Sequence, residues 1–229
     1  MRLLAIDTAG PVIGVALAVD DEVVGFREER VRRGSETRLA PWCAELAAES
    51  GLRLADLDGI AVAVGPGAFT GLRVGLATAL GLAHAARCPV VPVLSLQSRA
   101  RRASAERILS VLDARKGRVY AALSEDGGYS FSHAPADVPP DVALSWCAGA
   151  PFVATGEGAL VFAELVAQAG GSIDPATETS AADELARIGL SELARGAGVP
   201  PSQVRPVYLR RPDARTIAER EAAARGSTS

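Results

Sequence analysis

The chain is poor in the residues that build most self-contained catalytic centres. Its 229 residues include two histidines, three cysteines, one methionine and only 4% aromatic side chains. His84 and His133 lie far apart, and neither HxxxH nor HExxH occurs, so no histidine-built metal site is expected. Cys43, Cys88 and Cys147 form an odd, scattered set without CxxC. They read as buried free thiols rather than disulfides or metal ligands. Gly-x-Ser-x-Gly is absent, and Cys43 has no nearby histidine in sequence, so it reads as a buried thiol and not as a nucleophile. No apolar run is both long and Gly/Pro-poor enough to span a bilayer. The start, Met1-Arg2-Leu3-Leu4-Ala5-Ile6-Asp7, meets an acid too early for a signal peptide. The expectation is a cytoplasmic protein without membrane contact. Lysine is almost missing too, with Lys116 the single one among 24 Lys and Arg. Set against 27 acids the net charge is −3, so no global basic field recruits nucleic acid.

What is present is apolar and periodic. The chain is 48% hydrophobic and long enough for one large domain or two small ones. Its organising stretch runs Gly65-Pro66-Gly67-Ala68-Phe69-Thr70-Gly71-Leu72-Arg73-Val74-Gly75. The run Ile60–Val64 precedes it and a long Ala/Leu/Gly run follows, which reads as buried strand, tight turn and buried helix. Two roles fit the glycines. With Thr70 as N-cap, the turn into the helix is an anion site; alternatively, the glycines serve close packing.

Residues 3–9, 12–19 and 22–28 read as a meander of strands, and 35–50 as a helix with Leu39, Trp42, Cys43 and Leu46 on one stripe. A strand over 89–94 and a helix over 98–106 follow the second helix. The first part is thus β-β-β-α-β-α-β-α, a mixed sheet. The chain then repeats itself. Leu3–Asp7 is echoed by Leu109–Asp113, and Val64-Gly65-Pro66-Gly67 by Thr155-Gly156-Glu157-Gly158. This predicts a duplicated α/β unit, each half with a strand ending in Asp and a later strand ending in Gly-x-Gly. Residues 135–140 read as a proline-rich loop, 159–169 and 181–195 as helices, and 204–210 as an extended segment. The expected divisions are an N-terminal lobe over 1–100, a C-terminal lobe over 101–212 and a charged helix or tail over 213–229.

Two strand-end aspartates facing across a cleft, with glycine turns, suit a metal-bound nucleotide. The candidate residues are Asp7, Thr8, Gly65, Gly67, Asp113, Gly156 and Gly158. Against this, Pro11 leaves the turn after Asp7 poor in N–H donors, and neither half has a Walker-type lysine. Arg99, Arg101, Arg102 and Arg107 form a local basic patch, read as a solvated helix face or an RNA contact. The helix over 72–86 is apolar nearly all round, so it needs more cover than one sheet supplies. The helix at 35–50, a partner chain, or both can supply it.

Taken together, Gly65–Gly75, the start Leu4-Ala5-Ile6-Asp7-Thr8, the segment Asp113-Ala114-Arg115-Lys116-Gly117 with Val119-Tyr120, and Pro206-x-Tyr208-Leu209-Arg210 resemble the TsaB (YeaZ) family. The match covers residues 1 to about 211. The resemblance implies a duplicated two-lobed α/β fold of the actin, Hsp70 and sugar-kinase superfamily, with mixed sheets. It implies a subunit without catalytic or metal-binding residues of its own. That subunit partners TsaD, which transfers a threonylcarbamoyl group to adenosine 37 of ANN-decoding tRNAs, and TsaE joins the pair. tRNA is met through the assembled complex, and the chain alone is expected to pair with itself. No cofactor is required by the chain, with ATP or ADP reserved for the complex. The implied contact surface is the first two helices, through Leu39, Trp42 and Leu46 and through Thr70, Arg73, Ala77 and Leu80. Ser35 stands where many members have histidine, and Arg118 where an acid is common. The rival reading is an independent ATP-binding kinase or ATPase using Asp7, Asp113 and the two glycine turns.

Overall fold

The structure, a computed structural model, describes residues 1–31 and 34–210. The tail expected beyond Pro212 lies outside the described residues. Two five-stranded sheets form from successive parts of the chain. The first holds β1 (Arg2–Asp7), β2 (Val12–Val19), β3 (Glu22–Arg30), β4 (Gly59–Gly65) and β5 (Val90–Leu94). The second holds β6 (Ile108–Arg115), β7 (Arg118–Ser124), β8 (His133–Val138), β9 (Phe152–Thr155) and β10 (Gly171–Ile173). Their orders are β3-β2-β1-β4-β5 and, read from the other edge, β8-β7-β6-β9-β10. In each, the first two pairings from the hairpin edge are antiparallel and the next is parallel. The strand ending in Asp7 and the strand carrying Asp113 occupy the same central place, as the internal repeat predicts.

The helices are α1 (Ser35–Glu49), α2 (Phe69–Ala86), α3 (Ser95–Arg102), α4 (Pro140–Ser145), α5 (Glu157–Val161), α6 (Ala163–Gln168) and α7 (Ala182–Ala194). Strand alternation divides the work on the first sheet. Leu4, Ile6, Val15, Leu17, Ile60 and Val62 point to one side, where they meet Leu39, Cys43 and Leu46 of α1 and Leu76 and Ala79 of α2. Leu3, Ala5, Ala16, Ala61 and Ala63 point to the other and meet Ala182, Leu185, Ala186 and Ile188 of α7. Large side chains thus face two helices and mostly small ones face one. Gly189 lets α7 lie close, since a Cβ there would stand 2.6 Å from Ala61 Cβ. On the second sheet Leu109, Val111, Val119 and Ala121 pack with residues of α4, α5 and α6, while Leu112 and Ala122 pack with Leu96 of α3.

Several details differ from the sequence reading. Although α7 follows the second sheet in sequence, it packs on the first, and Val207 N–H donates to the Val64 carbonyl at 2.7 Å. The C-terminal part of the chain therefore returns to the first lobe instead of staying with the second. Of the loop expected over 135–140, residues 135–138 belong to β8 and Pro140 opens α4. β8 lies at the edge of its sheet, where Pro135 costs no central ladder bond. The helix expected over 159–169 is two short ones, because Phe162 (φ −117°, ψ 31°) leaves the helical region and packs on the second core. The third helix ends at Arg102 and does not run to Glu106. Ala68 precedes the first turn of α2, so Thr70 lies within that turn and is no N-cap. The three cysteines are free and buried, and burial pushes the Cys43 thiol up to about 12 and the Cys147 thiol up to about 11.

Candidate functional site: the interlobe junction and the outer face of α2

The first half places Asp7 at the end of β1 with 0% of its surface exposed. Its Oδ1 accepts from Ala9 N–H at 3.0 Å and its Oδ2 from Ala181 N–H at 3.1 Å. Arg99 of α3, itself buried, brings Nη2 to 3.2 Å from the same Oδ2. The carboxylate is therefore satisfied from within the chain. Asp113 is held differently. Its Oδ1 accepts from Arg115 N–H at 2.8 Å and its Oδ2 pairs with Arg115 Nη1 at 3.0 Å, which ties it to its own hairpin.

The glycines answer the question their spacing leaves open. A Cβ at Gly67 would stand 2.5 Å from the Ala9 carbonyl oxygen, one at Gly71 would strike the Thr8 carbonyl and one at Gly75 the Thr8 hydroxyl. The turn into α2 thus packs directly on the turn after β1. Gly65, at φ 113°, has the Val207 carbonyl 2.5 Å from where its Cβ would be. Gly156 and Gly158 do the same work in the second half, against Val111 and Leu112 of β6. In both halves the motif serves close approach of the chain to itself, which is the packing reading. Glu157, between those two glycines, is half-buried, and burial pushes its carboxyl up. The Arg99 charge works against that rise, and Asp7 and Asp113 reinforce it.

The arginine patch is not a solvated face. Arg101 Nε stands 3.6 Å from Glu184 Oε1, with its guanidinium over the Tyr129 ring at 3.6 Å. Arg102 pairs with Asp183 and donates to the Ser180 carbonyl, and Arg107 donates to the Trp146 carbonyl at 3.2 Å. Among the described residues no three His, Cys, Asp or Glu side chains are grouped to hold a metal ion. No helix of the described residues is long and apolar enough to cross a membrane.

The α1–α2 layer presents a second kind of site. Leu39 and Leu46 are 0% exposed in the core of the first lobe, so they are not surface contacts, contrary to the expectation. An amphipathic stripe shows which side is apolar but not what covers it. Trp42 is half-buried beside them. On α2, Thr70, Arg73 and Ala77 are exposed and Leu80 is half-buried, and nothing lies within 4 Å of a Cβ built on Gly81. At the start of this outer stripe Phe69 is 41% exposed, its ring centroid 5.3 Å from that of Tyr208. Arg73 lies 3.9 Å over the Phe69 ring and donates from Nε to Tyr208 Oη at 3.2 Å. The late Pro-x-Tyr-Leu-Arg segment is thereby fixed to the glycine motif. Arg210 continues it to the second lobe, donating to the Ala114 carbonyl at 2.9 Å and pairing with Asp137, as Arg118 also does.

Sequence reasoning named seven junction residues but missed Arg99 and Glu157 as members of that junction. Arg99 looked like one of four patch arginines, and Glu157 like the variable position of a Gly-x-Gly turn. The available signal was Arg99 falling on the buried side of a short helix, four residues after Ser95.

Comparison with known proteins gives a consistent picture. The family model for TsaD, tRNA N6-adenosine threonylcarbamoyltransferase, matches residues 18–145. The tRNA threonylcarbamoyladenosine biosynthesis protein TsaB of Escherichia coli (strain K12) is 33% identical over 221 residues, covering 92% of this chain and 95% of its own. The Haemophilus influenzae protein of the same name is 39% identical over 124 residues, 52% of each chain. Among solved structures, YeaZ from Pseudomonas aeruginosa superposes with a TM-score of 0.78 at 33% identity, over 91% of this chain and 99% of that one. Component A of (R)-2-hydroxyglutaryl-CoA dehydratase from Acidaminococcus fermentans shares the fold alone, with a TM-score of 0.55 at 10% identity. The architecture is a duplicated two-lobed α/β fold with mixed sheets, the fold of YeaZ.

Proposed function

This chain belongs to the TsaB (YeaZ) family, and from that premise we propose that it is a scaffold subunit in tRNA threonylcarbamoyladenosine biosynthesis. It binds and activates a TsaD-type threonylcarbamoyltransferase through the outer face of α2 and the adjoining edge of α1. TsaE joins the pair, tRNA is met by the assembly, and the chain without TsaD pairs with itself through the same face. It performs no chemistry of its own.

The observation that carries the reading is the contrast between the two sites just described. The strand-end aspartates and glycine turns are engaged by the chain itself. The α2 stripe, with exposed Phe69, Arg73 and Ala77 and open Gly81, is left uncovered by the fold. A small-residue stripe next to an aromatic and an arginine lets a second helix approach closely and supplies the residue types that dominate interface energetics.

The experiment is reconstitution. Co-expression with TsaD should yield a complex that survives gel filtration at micromolar concentration. TsaD, TsaE and the upstream adenylate should modify tRNA only when this chain is added. Absence of a complex, or full modification without this chain, would defeat the scaffold reading.

A further inference from the structure

The docking reading uses the outer face of α2 and leaves the junction between the lobes without a task. Arg99 is 5% exposed there, a depth at which a cation persists only with partners. Its Nη2 meets Asp7 Oδ2 at 3.2 Å and its Nη1 donates to the Ser95 carbonyl at 2.9 Å. The guanidinium lies between two turns, one from each lobe. A Cβ at Gly10, just after β1, would stand 3.3 Å from Arg99 Nη2 and 3.2 Å from Glu157 Oε2. A Cβ at Gly156, just after β9, would stand 3.4 Å from Arg99 Cδ. Asp7 reaches a third segment, because its Oδ2 also accepts from Ala181 N–H before α7. Arg99 of α3 thus pairs with the end of β1, whose carboxylate also holds the start of α7, and its stem lies against the turn into α5.

A buried strand-end carboxylate that stays charged is stabilised by a cation beside it. The cation can arrive with an anionic ligand or belong to the protein. We infer that Arg99 is a built-in cation that latches the two lobes together, so that the chain takes no metal-bound phosphate ligand between them while the Arg99–Asp7 pair is intact. Arg101 and Arg102 extend the latch along α3, toward Glu184 and Asp183 at the start of α7. The latch holds whether or not α2 docks a partner.

Hydrogen exchange on the full chain tests it. Arg99→Met keeps an unbranched side chain and removes the charge. The amides of Ala9 and Ala181, both bonded to Asp7, should then exchange at least about tenfold faster, while β4 amides keep their wild-type rates. Rates at both amides within about twofold of wild type would overturn the latch. If Arg99→Met does not fold, the double variant Asp7→Asn with Arg99→Met decides. It leaves neither charge unpaired, so it should melt above either single variant, whereas losses that simply add would overturn the inference. With millimolar Mg-ATP as the probe, exchange at residues 7–10 and 156–158 of the wild-type chain should not change. Protection of those segments with Arg99 in place would contradict it.

Discussion

The two lobes share one strand order and cover it differently. In the first, the antiparallel meander leads into a helix of 15 residues, and the glycine turn into one of 18. In the second, the corresponding places hold a helix of 6 residues and a pair of 5 and 6. The first glycine turn packs on the turn just after β1, and the second packs on β6 itself. Only the first launches a helix long enough to bury one side and still present a continuous second side. The second lobe instead leaves scattered apolar residues outside, such as Val161 at 59% exposure. Duplication supplied the frame, and the long helices of one copy leave an outer face that the fold does not cover.

The largest effect should come from the inner side of that layer. Leu46 is fully buried and fills the notch over Gly25, so Leu46→Ala should cost about 2–5 kcal/mol in a denaturant titration. Leu165→Ala on the exposed side of α6 should stay within about 0.5 kcal/mol. Equal losses would erase the contrast between the lobes. Next comes Gly67→Ala, whose new methyl meets Ala9 backbone and should cost about 1–3 kcal/mol by thermal unfolding.

Gly81→Ala sharpens the comparison from the opposite direction. Nothing stands near its Cβ, so the substitution should stabilise the isolated chain by about 0.5–1 kcal/mol. The same methyl on the docking stripe should weaken association with TsaD. A variant that gains stability and keeps full affinity would place the contact elsewhere.

The smallest effect is a pH dependence at the junction. Burial leads in raising the Glu157 carboxyl, the charges of Asp7 and Asp113 reinforce the rise, and the Arg99 charge opposes it. A carboxyl raised in the folded state adds stability below its unfolded value, and that contribution is lost as pH rises through the folded value. From about pH 4.5 toward neutrality, the melting midpoint of the wild type should therefore fall relative to Glu157→Gln. Parallel midpoint curves for the two proteins would show that Glu157 carries no such linkage.

Much of the frame was legible in the residues, because buried strands advertise themselves by apolar runs that end in Asp or Gly. The repeat of Leu3–Asp7 at Leu109–Asp113 therefore predicts the central strand of each sheet. What stayed illegible depends on pairing across long separations. Arg99 and Asp7 meet because α3 links the lobes, and no local pattern encodes that. The stripe of Leu39, Trp42 and Leu46 is readable as apolar, but whether its cover is the chain's own sheet or a partner is decided by tertiary packing. Glycine spacing likewise announces a close approach without saying that the approaching group is the backbone of Thr8 and Ala9. The split at Phe162 came from the pull of an aromatic side chain into the core against a helical pattern.

Ala77 offers the most direct test of the docking face. It is exposed in the middle of the α2 stripe, so Ala77→Arg should leave the fold and melting midpoint of the isolated chain close to wild type. Sedimentation with TsaD should then show an affinity at least about 100-fold weaker, the size expected when a charge is forced into a packed interface centre. Wild-type affinity for TsaD in the Ala77→Arg chain would contradict the assignment of α2 as the docking helix.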